Sequence, residues 1–212
     1  SSVTFLSGDH NELVDRCISK ETCIKLDYQT TTFSGHLTHI CNIYDLSGHK
    51  VDQRLRVLPK EFSWWPKQSD KTIMPGLFQA SDFSKPIVIV EGEIDMLSCW
   101  EVGYQACTVW GGAGSTKESL ERSLERLAQY KEIILCLDTD EPGQRALKIA
   151  RQVLQFYNVK ICDYKELIPM DNPRPKCCPD CGGKISITSS DSCEYFWGHW
   201  AQKPRYNGLY WL

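Results

Sequence analysis

Four β-branched residues, Ile87-Val88-Ile89-Val90, run directly into an acidic cluster of Glu91, Glu93 and Asp95, with Gly92 between the first two. An apolar run without polar interruption reads as a strand covered on both faces, the habit of parallel rather than half-exposed antiparallel sheets. Such sheets gather their chemistry beyond the carboxyl ends of the strands, and Glu91 stands at one such end. Ile133 to Leu137 repeats the arrangement and leads into Asp138-Thr139-Asp140. Carboxylates two positions apart point the same way from an extended segment, so Asp138 and Asp140 can share a divalent cation. The two junctions together describe a site suited to metal-dependent phosphoryl transfer.

The pattern between and after these junctions predicts alternating strands and helices. A helix is expected from about residue 94 to 102, then a strand over Ala106–Trp110 and a helix over about 117–130. After the strand at 133–137, Pro142 favours the first position of a helix running to about residue 156, and Val159–Tyr164 supplies a fourth strand. Strands joined by single helices imply a parallel sheet with right-handed crossovers, which places both acidic junctions on one sheet edge. Gly111 to Ser115 lies at a third strand-to-helix junction. Its backbone N–H groups, at Gly112 and Gly114 above all, could cradle a phosphate.

Upstream, Ser19 is a candidate N-cap for a short helix over about 20–26. Thr22 stands where a complete capping box would carry Glu or Gln. His39–Tyr44, a turn at Asp45–Gly48 and Lys50–Val57 read as a hairpin. Arg54 and Arg56 share one face of its second strand, and Lys60 follows in the next loop. That face is either simply solvated or a basic wall for phosphates opposite the acidic cluster. Phe62–Pro66 either covers a core seam or offers stacking faces to bases.

A net charge of −3 with 24% charged residues leaves any nucleic-acid contact to local patches, and no apolar run reaches membrane-spanning length. Most of the eleven cysteines sit singly in apolar segments, such as Cys99, Cys107, Cys136 and Cys162, and read as small core residues of a reduced cytosolic protein. The exception follows a proline-rich linker. Cys177-Cys178-Pro179-Asp180-Cys181-Gly182-Gly183 has the form of a zinc knuckle, with Cys193 and His199 as candidates to complete a tetrahedron around Zn2+ with Cys178 and Cys181, and Cys177 as a further candidate. Three regions result: residues 1–84 as a small α+β subdomain with the hairpin, 85–167 as the α/β unit, and 168–212 as linker and cysteine-rich, zinc-ribbon-like module.

Glu91-Gly92-Glu93-Ile94-Asp95, the glycine turn, and Asp138-Thr139-Asp140-Glu141-Pro142-Gly143 resemble the TOPRIM domain shared by primases, topoisomerases and some nucleases. Asp15 to Cys23 and Asp52 to Arg56 narrow the likeness to the primase half of the fused primase–helicases of short-tailed phages, over roughly residues 9 to 164. The resemblance implies a TOPRIM-like parallel sheet and a DNA primase that makes short RNA primers on single-stranded DNA from ribonucleoside triphosphates. It also implies a replicative helicase or another replication protein as partner, and the host cytosol as its place. Glu91 would act at the attacking 3′-hydroxyl as metal ligand or proton acceptor. Asp138 and Asp140 would hold Mg2+ or Mn2+, supported by Asp95, while Arg54, Arg56 and Lys60 would grip the nucleotide. Two departures stand out. The family's acidic segment after the fourth strand is replaced by Lys165-Glu166-Leu167-Ile168-Pro169, leaving Asp163 or Glu166 as substitutes, and the cysteine module follows the core instead of preceding it. A TOPRIM nuclease or topoisomerase fragment, and a non-catalytic replication-associated binding protein, remain alternative readings.

Overall fold

The computed structural model describes residues 4–58, 61–65, 69, 71–110, 113–162, 185–190 and 193–199. Two four-stranded sheets dominate. The first is antiparallel and ordered β1-β2-β3-β4, from Tyr28–Phe33 (β1), His36–Tyr44 (β2), Lys50–Val57 (β3) and Glu61–Trp65 (β4). The second is parallel: Ile87–Val90 (β5) lies between Ala106–Thr108 (β6) and Ile133–Leu135 (β7), with Val159–Ile161 (β8) beyond β7. Helices Glu93–Glu101 (α2), Ala113–Leu127 (α3) and Glu141–Val153 (α4) connect the parallel strands.

The expected hairpin is β2–β3, but it is the centre of a sheet twice as wide. Tyr28–Phe33 is polar and threonine-rich, and Phe62–Trp65 mixes aromatic and charged neighbours, so neither carries a clean period-two apolar pattern. Their pairing comes from the tertiary context instead. The parallel strands are shorter than the apolar runs that announced them, because the last residues of each run leave the ladder while keeping backbone bonds to it. Cys136 N–H donates to Ile89 O at 2.8 Å, and Cys162 N–H to Leu135 O at 2.8 Å. All four side chains of β5 are buried, each worth roughly 1.5–3 kcal/mol of transfer free energy. Tyr28 and Cys41 of the antiparallel sheet belong to the same buried cluster as β5, α2 and β7, so both sheets share one core.

The incomplete capping box is completed from elsewhere in the chain. Ser19 caps Lys20–Lys25 (α1), its side chain accepting from Thr22 N–H at 3.2 Å. Glu101, at the end of α2, accepts from Ser19 N–H at 3.0 Å and from the Ser19 and Thr22 hydroxyls. It thereby takes the role that a Glu at the third helical position has in a local box, and docks the N-terminal helix onto the parallel-sheet unit.

Cys23, Cys99, Cys107 and Cys136 are buried free thiols, as expected, whereas Cys17 is exposed, in the left-handed region (φ 53°), where it terminates a short 3-10 turn. Ile185–Ser190 (β9) and Cys193–His199 (β10) pair antiparallel, with Cys193 opposite Ser190 and His199 opposite Ile185. Cys177, Cys178, Cys181, Asp163 and Glu166 lie outside the described residues, as do Lys60 and Gly112. Among the described residues no helix is long and apolar enough to cross a membrane.

Candidate active site

Parallel pairing brings the ends of β5 and β7 side by side, and the acidic junctions meet there. Glu91 Oε1 accepts a hydrogen bond from Asp138 N–H at 3.1 Å. Burial first, and then the negative charge of Asp138, with Asp140 and Asp95 adding to it, pushes the Glu91 carboxyl up to about 7. Asp95 is pushed up to about 6 by burial and by Asp138 and Glu93, against an opposing pull from Arg16 and Arg56. Acidic neighbours close enough to raise the proton affinity of Glu91 and Asp95 mark a site arranged for something other than stability.

Local packing holds this arrangement. Gly92 caps α2, and a Cβ there would meet Asp95 Oδ2 at 2.8 Å, so only glycine leaves that carboxylate its place. Asp140 is the N-cap of α4, its Oδ1 accepting from Gly143 N–H at 2.9 Å. A Cβ on Gly143 would stand 2.0 Å from Asp138 O, so the glycine lets α4 press against the Asp138 loop. The helix starts one residue before the proline that announced it.

The basic residues divide. Arg54 Nε lies 2.8 Å from Glu93 Oε1, both side chains nearly enclosed, in an ion pair whose angle falls short of a hydrogen bond. Its guanidinium also stacks near Phe62 and Trp64, at 5.3 and 5.5 Å from the ring centroids. Trp64 meets Trp110 edge-on at 6.0 Å and packs in the seam, whereas Phe62 is exposed. Arg56, by contrast, lines a cavity of about 410 Å3 together with Arg16, His39, the carboxylate residues Glu12 and Asp15, and Ile94, the last being the neighbour of Asp95. Arg16 was not singled out in the sequence. It ends a 3-10 turn that has no apolar period, and only the fold brings it near Asp95. Gly114 lies in the first turn of α3, which begins at Ala113, so the glycine segment is a helix start more than a loop.

The donor set is all hard oxygen, which suits Mg2+ or Mn2+ better than softer ions. Among the described residues no three His, Cys, Asp or Glu side chains already form a closed cage. Mg2+ is commonly held by one or two carboxylates and completed by substrate phosphates. Glu91, Asp138 and Asp140 are the residues that would hold it.

Comparison with known proteins agrees with this geometry. Residues 88–172 match the family described as Toprim-like, and residues 8–65 match the bacteriophage T7 DNA helicase/primase N-terminal a+b fold. The primase domains of bacteriophage T7, solved with its lagging-strand DNA polymerase, an RNA/DNA hybrid and dTTP, are 30% identical with a TM-score of 0.67. The match covers 78% of this chain and 83% of that one. The chain belongs to the Toprim-type phage primases. The crystal structure of the primase fragment of the T7 primase-helicase is likewise 29% identical, with a TM-score of 0.66 over 77% of this chain and 72% of that one. The DNA helicase/primase of Enterobacteria phage T3 is 31% identical over 159 residues, 73% of this chain but only 28% of that longer protein. The DnaG catalytic core shares the fold at 15% identity, TM-score 0.55.

Proposed function

We propose that this chain is the RNA-polymerising core of a DNA primase, joining ribonucleoside triphosphates on a single-stranded DNA template by metal-dependent nucleotidyl transfer. The observation that carries the reading is the meeting of Glu91 with Asp138 beside Asp140, with the arginine-lined cavity adjoining through Asp95 and Ile94. A divalent cation bound there would neutralise phosphate charge and stabilise attacking and leaving oxygens. Asp138 and Asp140, with Glu91, are the residues that would hold that ion. Glu91, whose proton affinity is raised toward neutrality, is placed to accept the proton of the attacking 3′-hydroxyl at its second oxygen. Arg16 and Arg56 bind phosphates, while Arg54 fixes β3 to the Glu93 end of α2 and so sets the distance between the basic and acidic walls.

The test is incorporation of labelled ribonucleotides on random single-stranded DNA with Mg2+ or Mn2+. Template-dependent products that disappear with Glu91→Gln support the reading. Cleavage of labelled DNA without nucleotides would favour a nuclease, and undiminished replication in cells by a Glu91→Gln, Asp138→Asn double variant would favour a binding role. The same reading assigns a replicative helicase or another replication protein as partner, and Zn2+ to the Cys178–Cys181 knuckle with Cys193 and His199 as candidate further ligands. Elemental analysis of the purified protein tests the zinc.

A further inference from the structure

His39 lies directly across from Arg56 in the β2–β3 register, and both line the cavity with Arg16. Its Nδ1 is 3.1 Å from the hydroxyl of Tyr28, whose ring stands edge-on to the imidazole at 5.7 Å. Tyr28 is buried, and burial keeps its phenol protonated by raising its pKa well above the ordinary value. Among the described residues Nδ1 is the only hydrogen-bond partner of that hydroxyl. A buried O–H without an acceptor costs about 1–3 kcal/mol, so the proton points at Nδ1 and the ring's own hydrogen sits on Nε2. Burial, with Arg56 and Arg16 adding to it, lowers the imidazole to about 4, so the ring is neutral where the protein works. Arg56 also lines the cavity, and its Nε is buried without a hydrogen-bond partner among the described residues.

We propose that His39, its tautomer set by Tyr28, is an uncharged donor that completes a phosphate seat with Arg16 and Arg56 and positions the triphosphate of the incoming nucleotide. The two guanidiniums share the cavity with the carboxylates of Glu12 and Asp15, and a neutral N–H adds a directed bond to phosphate without altering that charge balance. The inference rests on the polymerase reading, and one measurement separates the two.

The experiment compares wild type, His39→Ala, His39→Gln and Tyr28→Phe for nucleotide KM and kcat in primer synthesis, and for binding of tripolyphosphate, which carries no base or ribose. Loss of the donor should raise KM and weaken tripolyphosphate about tenfold with kcat within about twofold. Gln, which keeps an N–H of similar reach, should restore most of the affinity, and Tyr28→Phe should give an intermediate loss. If His39→Ala fails to fold by circular dichroism, His39→Leu, which fills the volume without a donor, takes its place. Unchanged tripolyphosphate affinity in the donorless variant, or no recovery with Gln, overturns the proposal. A wild-type protein that binds tripolyphosphate but makes no primers refutes the polymerase reading and leaves the seat standing.

Discussion

The two sheets treat carboxylates in opposite ways. In the antiparallel sheet, Asp27 accepts from His10 at 2.9 Å and Gln29 at 3.1 Å, from the Tyr44 hydroxyl, and pairs with Lys50 at 3.0 Å. Burial works against its charge, but hydrogen bonds from Tyr44, His10 and Lys50, together with the Lys50 charge, hold its carboxyl below the ordinary range. At the edge of the parallel sheet, Glu91 and Asp95 are pushed the other way by burial and by their acidic neighbours. The first carboxylate is satisfied by the fold and stabilises it. In the second set burial and like charge outweigh the opposing pull of Arg16 and Arg56 on Asp95. The difference separates a structural polar network from a site awaiting a cation and phosphates.

The largest expected effect breaks the acidic cluster. Asp138→Ala should lower primer synthesis by about three orders of magnitude, in keeping with loss of a metal-holding carboxylate. In chelator, the same variant should be as stable as wild type or about 1 kcal/mol more so, because Glu91 and Asp95 lose a repelling neighbour. Added Mn2+ should raise the melting temperature of wild type and not of the variant. Asp27→Asn should behave in reverse, costing about 2 kcal/mol in chemical denaturation while leaving the metal-induced shift intact. Should Asp138→Ala destabilise the chain as Asp27→Asn does, the contrast between the sheets is false.

Why one half of this contrast could be read from the sequence and the other could not follows from the kind of signal each leaves. A parallel strand covered on both faces must be continuously apolar, so β5 and β7 announce themselves, and the acids at their ends are local in sequence. Which side chain reaches which across the molecule leaves no such mark. Arg54 and Arg56 were predicted to share a face, yet one is committed to Glu93 and only the other lines the cavity. Arg16 has no periodic context and His39 only that of its strand, and their meeting with Arg56 in one cavity depends on how the 3-10 turn, sheet and helix pack. Asp140 was legible as a ligand candidate and not as a cap, because two roles for one carboxylate look the same in a string of letters.

Asp52 sharpens the comparison, being a carboxylate of the antiparallel sheet that is only half satisfied. Its Oδ2 accepts from Ser69 N–H at 2.9 Å and from the Thr72 hydroxyl, while Oδ1 is buried with no partner among the described residues. Burial, opposed by the Ser69 N–H and Arg122, pushes it up to about 6. A carboxyl that binds its proton more tightly folded than unfolded gives its full stabilisation at low pH. That contribution is lost as pH rises from about 4, the unfolded value, through about 6. Asp52→Asn should therefore match wild type near pH 4 and exceed it by on the order of 1 kcal/mol at pH 7.5. Denaturation midpoints measured across that window decide it, and a difference that does not vary with pH removes the titration of Asp52 from the account.

Glu101 gives the smallest effect and the most specific one. It is exposed, and burial slightly opposes its charge, but bonds from Thr22 and Ser19 hold its carboxyl below the usual range. Glu101→Ala removes the carboxylate that closes the α1 cap from the end of α2, so about 1 kcal/mol of stability should go. Ser19→Ala should cost a similar amount, because it removes both the cap acceptor and a donor to Glu101. If the two act as one box, the double variant should cost clearly less than the sum of the single losses. Hydrogen exchange locates the effect, with faster exchange expected for the amides of 20–25 and none for the strand ends that carry Glu91 and Asp138. Additive losses would mean that α1 is capped locally and that Glu101 only decorates it.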